Sequence, residues 1–265
     1  MSKNQQAVER LLSIMETLRH PEKGCPWDIK QTFDTIVPHT VEETYEVVDA
    51  IENQQWAQLR DELGDLLFQI VFYSQLGKEQ GLFDFAEVAE AISDKLERRH
   101  PHVFGEEGEQ SPGWEQIKAE ERKEKSSGGE TSILDDVPSA FPALTRAAKL
   151  QKRCASVGFD WDSLGPVAEK VSEELQEVME EATYADVQQE RVEEELGDLL
   201  FAVVNLSRHL GCNPEQALRK ANKKFESRFR KIETKVRESE RTLAECSLDE
   251  LDSLWNTVKS EEKVN

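Results

Sequence analysis

Two sets of four acids carry the chemistry to be expected of this chain: Glu43, Glu46, Glu62 and Asp65, then Glu174, Glu177, Glu195 and Asp198. In each set an E-E-x-x-E run (Glu42, Glu43, Glu46; Glu173, Glu174, Glu177) precedes the heptapeptide ELGDLLF, which occurs at Glu62–Phe68 and again at Glu195–Phe201. On a helix of 3.6 residues per turn, Glu195 and Asp198 lie about 60° apart, with Ala202 between them and Asn205 a further ~20° round. Glu174 and Glu177 repeat that three-residue spacing on the preceding segment. A lone acidic run is ordinarily a solvated face. Here two acidic motifs are coupled at similar spacing, twice, inside an apolar context, which argues for a site.

Carboxylates converging between packed helices repel by about a few kcal/mol per close pair at intermediate dielectric. Such a site calls for a cation. Oxygen ligands without His or Cys select a hard ion, Mg²⁺ or Mn²⁺, over zinc. A carboxylate not fully engaged with the ion, Glu173 or Glu174, can take a proton from water.

Basic and aromatic residues repeat as well. Lys95 and Arg99 match Lys224 and Arg228, and Trp114 with Lys118 matches Trp255 with Lys259. Arg can clamp a phosphate through two hydrogen bonds and Lys can act as a point charge. A Trp beside an ammonium suits a nucleobase and its phosphate tail. The two copies differ in one informative place. Asn205, whose amide can ligate or hydrogen-bond, stands where the first copy has Phe72. The C-terminal half is therefore expected to carry most of the turnover.

The elements that position these residues read as helices. Apolar spacing predicts them over 4–19, 40–52, 57–77 and 84–100, then over about 143–154, 166–183, 188–210, 214–239 and 248–262. A loop is expected over 105–113, with Trp114 opening a short charged helix. No segment alternates with period two, so the expected class is all-α: two tandem helical bundles, each with its acidic site in the interior. The expected domains are residues 1–122 and 138–265, joined by a linker at 123–137 that contains the polar run KEKSSGGETSI.

Composition narrows the partners. Fifty-four acids against 33 Lys and Arg leave a net charge of −21, which argues against nucleic acid as a primary partner. The four cysteines are scattered and read as reduced thiols. There is no apolar run of membrane-spanning length and no signal-like start, so no membrane partner is expected and the chain is placed in the cytoplasm.

Together the E-E-x-x-E and E-x-x-D pairs, ELGDLLF, KANKKFESRF, the terminal W-x-x-x-K and the stretch QKRCASVGFDW at 151–161 resemble the MazG family of nucleoside triphosphate pyrophosphohydrolases over nearly the whole chain. The resemblance implies the all-α NTP pyrophosphatase fold, shared with dimeric dUTPases and phosphoribosyl-ATP pyrophosphatases. It also implies Mg²⁺ dependence, a homodimer, and hydrolysis of nucleoside triphosphate to monophosphate and diphosphate, with a house-cleaning role on non-standard nucleotides. Carried over by position, the metal ligands fall on Glu174, Glu177, Glu195 and Asp198, with Glu43, Glu46, Glu62 and Asp65 equivalent in the first copy. The nucleotide contacts fall on Lys224, Arg228, Trp255 and Lys259. Two other readings stay open at this point: a non-catalytic helical scaffold holding structural metal, and a narrow enzyme for dUTP or phosphoribosyl-ATP.

Overall fold

The structure is a computed structural model and describes residues 2–105, 117, 121, 132–184 and 186–264. The chain divides into two compact units, Met1–Ser127 and Gly128–Asn265. Among the described residues every regular element is helical. No described helix is long and apolar enough to cross a membrane. The four cysteines are free thiols. The loop expected at 106–113, the Trp114 helix with Lys118, and the expected linker through residue 131 lie outside the described residues.

The first unit comprises α1 (Lys3–Leu18), a 3₁₀ turn (Asp28–Lys30), α2 (Phe33–Glu52), α3 (Trp56–Glu79), α4 (Phe85–Arg99) and the short α5 (Pro101–Phe104). Helix α2 begins well before the expected residue 40 and carries Pro38 inside it. Thr32 and Thr35 form a reciprocal cap that starts the helix at Phe33. Pro38, the sixth residue of the helix, lacks the N–H that would bond the Asp34 carbonyl, so the helix gives up that bond near its N-terminus. The connection Asn53–Gln55 is short, with Gln54 at φ 56°, and folds α3 back on α2. The core of this unit is Met15, Ile36, Val71, Phe72 and Leu76.

The second unit comprises α6 (Ala143–Ala155), α7 (Leu164–Thr183), α8 (Gln189–His209), α9 (Pro214–Glu238), a 3₁₀ turn (Leu243–Glu245) and α10 (Leu248–Val264). Helices α7 and α8 pack on one another as α2 and α3 do, and α6 packs on α8. Val167, Ala202 and Val204 are buried around that contact. Helices α9 and α10 form a second pair over Ile232, Val236 and Val258.

Candidate active site

The acids of the second unit come together. One carboxylate oxygen each from Glu174, Glu195 and Asp198 lies within 4.8 Å of the others, and Glu173, Glu174 and Glu177 form an overlapping group by the same measure. Glu174 belongs to both groups and is only 4 % exposed. Burial, then the charge of Glu174, pushes the Glu177 carboxyl above its ordinary range, as desolvation and like charge require. In the first unit Glu43, Glu62 and Asp65 gather within the same distance. Burial and the neighbouring acids raise Glu43, and burial and then Glu62 raise Glu46, which sits at the edge of the group.

Beyond the acids the two units diverge. In the second, the carboxylates border a cleft of about 550 Å³, lined by α6, α7, α8 and the segment between α6 and α7. Glu174, Asp198, Ala202 and Asn205 line it, together with Gln151, Cys154, Phe159, Asp160, Trp161, Phe201, Lys170 and Arg208. Gly158 also lines the cleft and has φ +87°, a conformation that turns the chain from α6 toward α7 and favours glycine. In the first unit the place of Asn205 is taken by Phe72, which is 0 % exposed and sealed into the core. The cavity described there, about 180 Å³, is lined by none of Glu43, Glu62 and Asp65.

Two cations at the cleft escape sequence reasoning. Lys170 Nζ lies 2.6 Å from Glu174 and 2.8 Å from Glu173. Hydrogen bonding to Glu173 and then to Glu174 holds its ammonium charged well above the usual lysine range. Arg208 grips Asp160 through Nη1 and Nη2, at 2.8 and 2.5 Å, and donates to Asn205 Oδ1 from Nε and Nη2, at 3.0 and 2.7 Å. His209 Nε2 is 2.9 Å from the same Asp160 oxygen. Arg208, then His209, hold the Asp160 carboxyl down at about 2. The one signal that could have found Lys170 is its place as a basic residue one turn before the acidic run. Asp160 and Arg208 had no signal beyond belonging to the 151–161 stretch and to the helix following ELGDLLF.

The residues expected to contact nucleotide sit together on α9 and α10. Trp255 packs 5.2 Å from Phe225, ring centre to ring centre, and the Arg228 guanidinium lies 5.5 Å over its ring. Arg228 Nε donates to Glu262 at 2.8 Å, and Lys224 and Lys259 are exposed. None of the four lines the cleft, whose aromatic walls are Phe159, Trp161 and Phe201. The first unit repeats the ion pair: Arg99 holds Glu121 at 2.5 Å, and Arg99 and Arg98 keep that carboxyl at about 2. Arg99 and Arg228 thus each fasten their helix to an acid that follows the repeated W-x-x-x-K motif.

A helix pair that turns two acidic stripes toward one another at the mouth of a cleft defines a class: an all-α protein built to gather oxygen ligands beside an aromatic-walled cavity. The family can be stated more closely. The MazG nucleotide pyrophosphohydrolase domain matches residues 31–104 and 166–232, segments that contain both acidic sets, and the chain belongs to the MazG family. It is 55% identical over 260 residues to the nucleoside triphosphate pyrophosphohydrolase of Escherichia coli K12, covering 96% of this chain and 98% of that protein. It is 43% identical over 256 residues to the nucleoside triphosphate pyrophosphohydrolase/pyrophosphatase MazG of Thermotoga maritima, covering 95% of each. The Mycolicibacterium smegmatis nucleoside triphosphate pyrophosphohydrolase is 35% identical over 159 residues, covering 58% of this chain and 48% of that protein.

Proposed function

We propose that this MazG-family hydrolase cleaves nucleoside triphosphates to monophosphate and diphosphate in its C-terminal cleft, with Mg²⁺ or Mn²⁺ held by Glu174, Glu177, Glu195 and Asp198. The carrying observation is the convergence of three carboxylates, with Lys170 among them, at the rim of a cavity large enough for a nucleotide. The donors fit a hard divalent cation. All are carboxylate oxygens, and Glu177 is raised by burial and then by the charge of Glu174, both of which such an ion would offset. When bound, the cation neutralises phosphate oxygens and polarises the anhydride.

The chain's own residues do the rest. Glu174 belongs to both carboxylate groups and would be engaged as a ligand, so the exposed Glu173 is assigned to accept a proton. Water loses its proton to Glu173, its oxygen bonds to phosphorus, and the anhydride P–O bond breaks to release the two products. Lys170, within reach of both acids, offers its ammonium to the phosphate oxygens as that charge shifts. Lys224, Arg228, Trp255 and Lys259 are assigned to the nucleotide as a second cationic surface. The open cleft, with aromatic walls that accept any ring, suits a broad range of NTPs and dNTPs, non-standard ones included.

Among the described residues the first unit keeps its acids while the cavity described there does not reach them, and its assigned role is to bind metal through Glu43, Glu46, Glu62 and Asp65 with little turnover. A homodimer belongs to the same proposal, because Leu175, Met179, Leu196 and Leu200 are about half exposed along α7 and α8. A second copy would cover them.

The test is incubation of the purified protein with NTPs, dNTPs and Mg²⁺, with products separated by ion exchange. Monophosphate and diphosphate are expected, dependent on the added ion. Nucleoside diphosphate with free phosphate, or no product, would contradict the reading. Light scattering should give about twice the 30.3 kDa chain mass.

A further inference from the structure

Two side-chain amides line the cleft, and neither is free to turn over. Gln151, on α6, is 8 % exposed and donates from Nε2 to the Phe201 carbonyl at 2.8 Å. A carbonyl can only accept, so the other end of the amide is fixed as the oxygen. That atom, Gln151 Oε1, is buried and has no hydrogen-bond partner. A buried acceptor left unpaired costs free energy unless a ligand or a water supplies the missing donor.

Asn205 is locked the other way round. The guanidinium of Arg208 donates twice to its Oδ1, and a guanidinium has no acceptor, so Asn205 turns its N–H₂ elsewhere. The Phe201 carbonyl held by Gln151 lies on α8 one turn before Asn205, and both side-chain amides line the same cleft. Beside them stand Phe159 and Trp161, both exposed. The cleft therefore holds an oriented acceptor, an oriented donor and aromatic surface.

We infer that Gln151 and Asn205 form a base-reading subsite, in which Gln151 Oε1 accepts from a ring or exocyclic N–H of a nucleobase and Asn205 Nδ2 donates to its neighbouring acceptor, with Arg208 as the positioning residue. Each standard base carries a donor beside an acceptor on its polar edge. The pair therefore admits all of them, and it disfavours a base without the donor. This rests on the nucleotide reading of the cleft given above.

The probes are ATP and purine riboside triphosphate, which keeps the ring acceptors of adenine but lacks its N–H donor. The wild-type protein should show a KM about tenfold lower for ATP, the worth of one neutral hydrogen bond, at similar kcat. Gln151→Met should erase that difference by raising the KM for ATP while leaving purine riboside triphosphate unchanged. Equal KM values in the wild type overturn the inference without reference to any variant. So does a Gln151→Met protein, folded by its thermal melt, that loses both substrates in the same proportion. Hydrolysis of neither triphosphate by the wild type would overturn the nucleotide reading itself, and this inference with it.

Discussion

Asn205 and Phe72 hold equivalent places one turn beyond the same heptapeptide, and the consequences of that exchange can be followed atom by atom. The amide is 7 % exposed at the cleft and is held by Arg208; the ring is part of a sealed core. Asn205→Phe should therefore fill the second cleft and lower kcat/KM by about a hundredfold or more, with the melting temperature little changed, as steady-state kinetics and calorimetry would show. Asp160 supplies a pH test. Its folded-state carboxyl, at about 2, lies below the ordinary 3.8. Its contribution to stability is thus complete above the ordinary value and is lost as pH falls through 2. Asp160→Asn should be less stable than the wild type at neutral pH, by about 1 kcal/mol given the solvent screening of a side chain 24% exposed. The two proteins should converge in denaturant melts as the pH approaches 2.

The helices themselves were largely legible, and the reasons are particular. Helix α8 was placed to within a residue at each end because ELGDLLF and Ala202 to Asn205 keep one strongly periodic face; Ala202, Val204 and Asn205 are its buried residues. Helix α2 was not, because Pro38 reads as a stop whereas the Thr32–Thr35 cap, a weaker pattern, decides the start. The acids could be paired in advance since they recur in both copies. The far wall of the cleft could not. Gln151, Asp160 and Arg208 meet through tertiary packing of α6 and the segment after it against α8, and such contacts leave no period in the sequence. The helix pair α9–α10 rests on a small cluster in which Ile232 and Val258 are essentially inaccessible. Ile232→Ala should cost about 2–5 kcal/mol, measured by chemical denaturation. A loss under about 0.5 kcal/mol would show that Arg228–Glu262 and its neighbouring ion pairs, rather than apolar packing, hold the pair.

At the scale of the molecule, one helical design occurs twice with different outcomes. Both units keep a carboxylate cluster. Only the second, among the described residues, sets that cluster beside a cleft with a lysine, an arginine and two oriented amides. The central claim is that hydrolysis belongs to the second unit. The direct measurement is diphosphate release, at saturating Mg²⁺ and nucleotide, by Glu195→Ala/Asp198→Ala compared with Glu62→Ala/Asp65→Ala. The first double variant should lose activity by at least about a thousandfold, as removal of groups that act together at a reacting centre does, and the second should keep most of it. Equal losses in the two, or a greater loss in the second, would contradict the account.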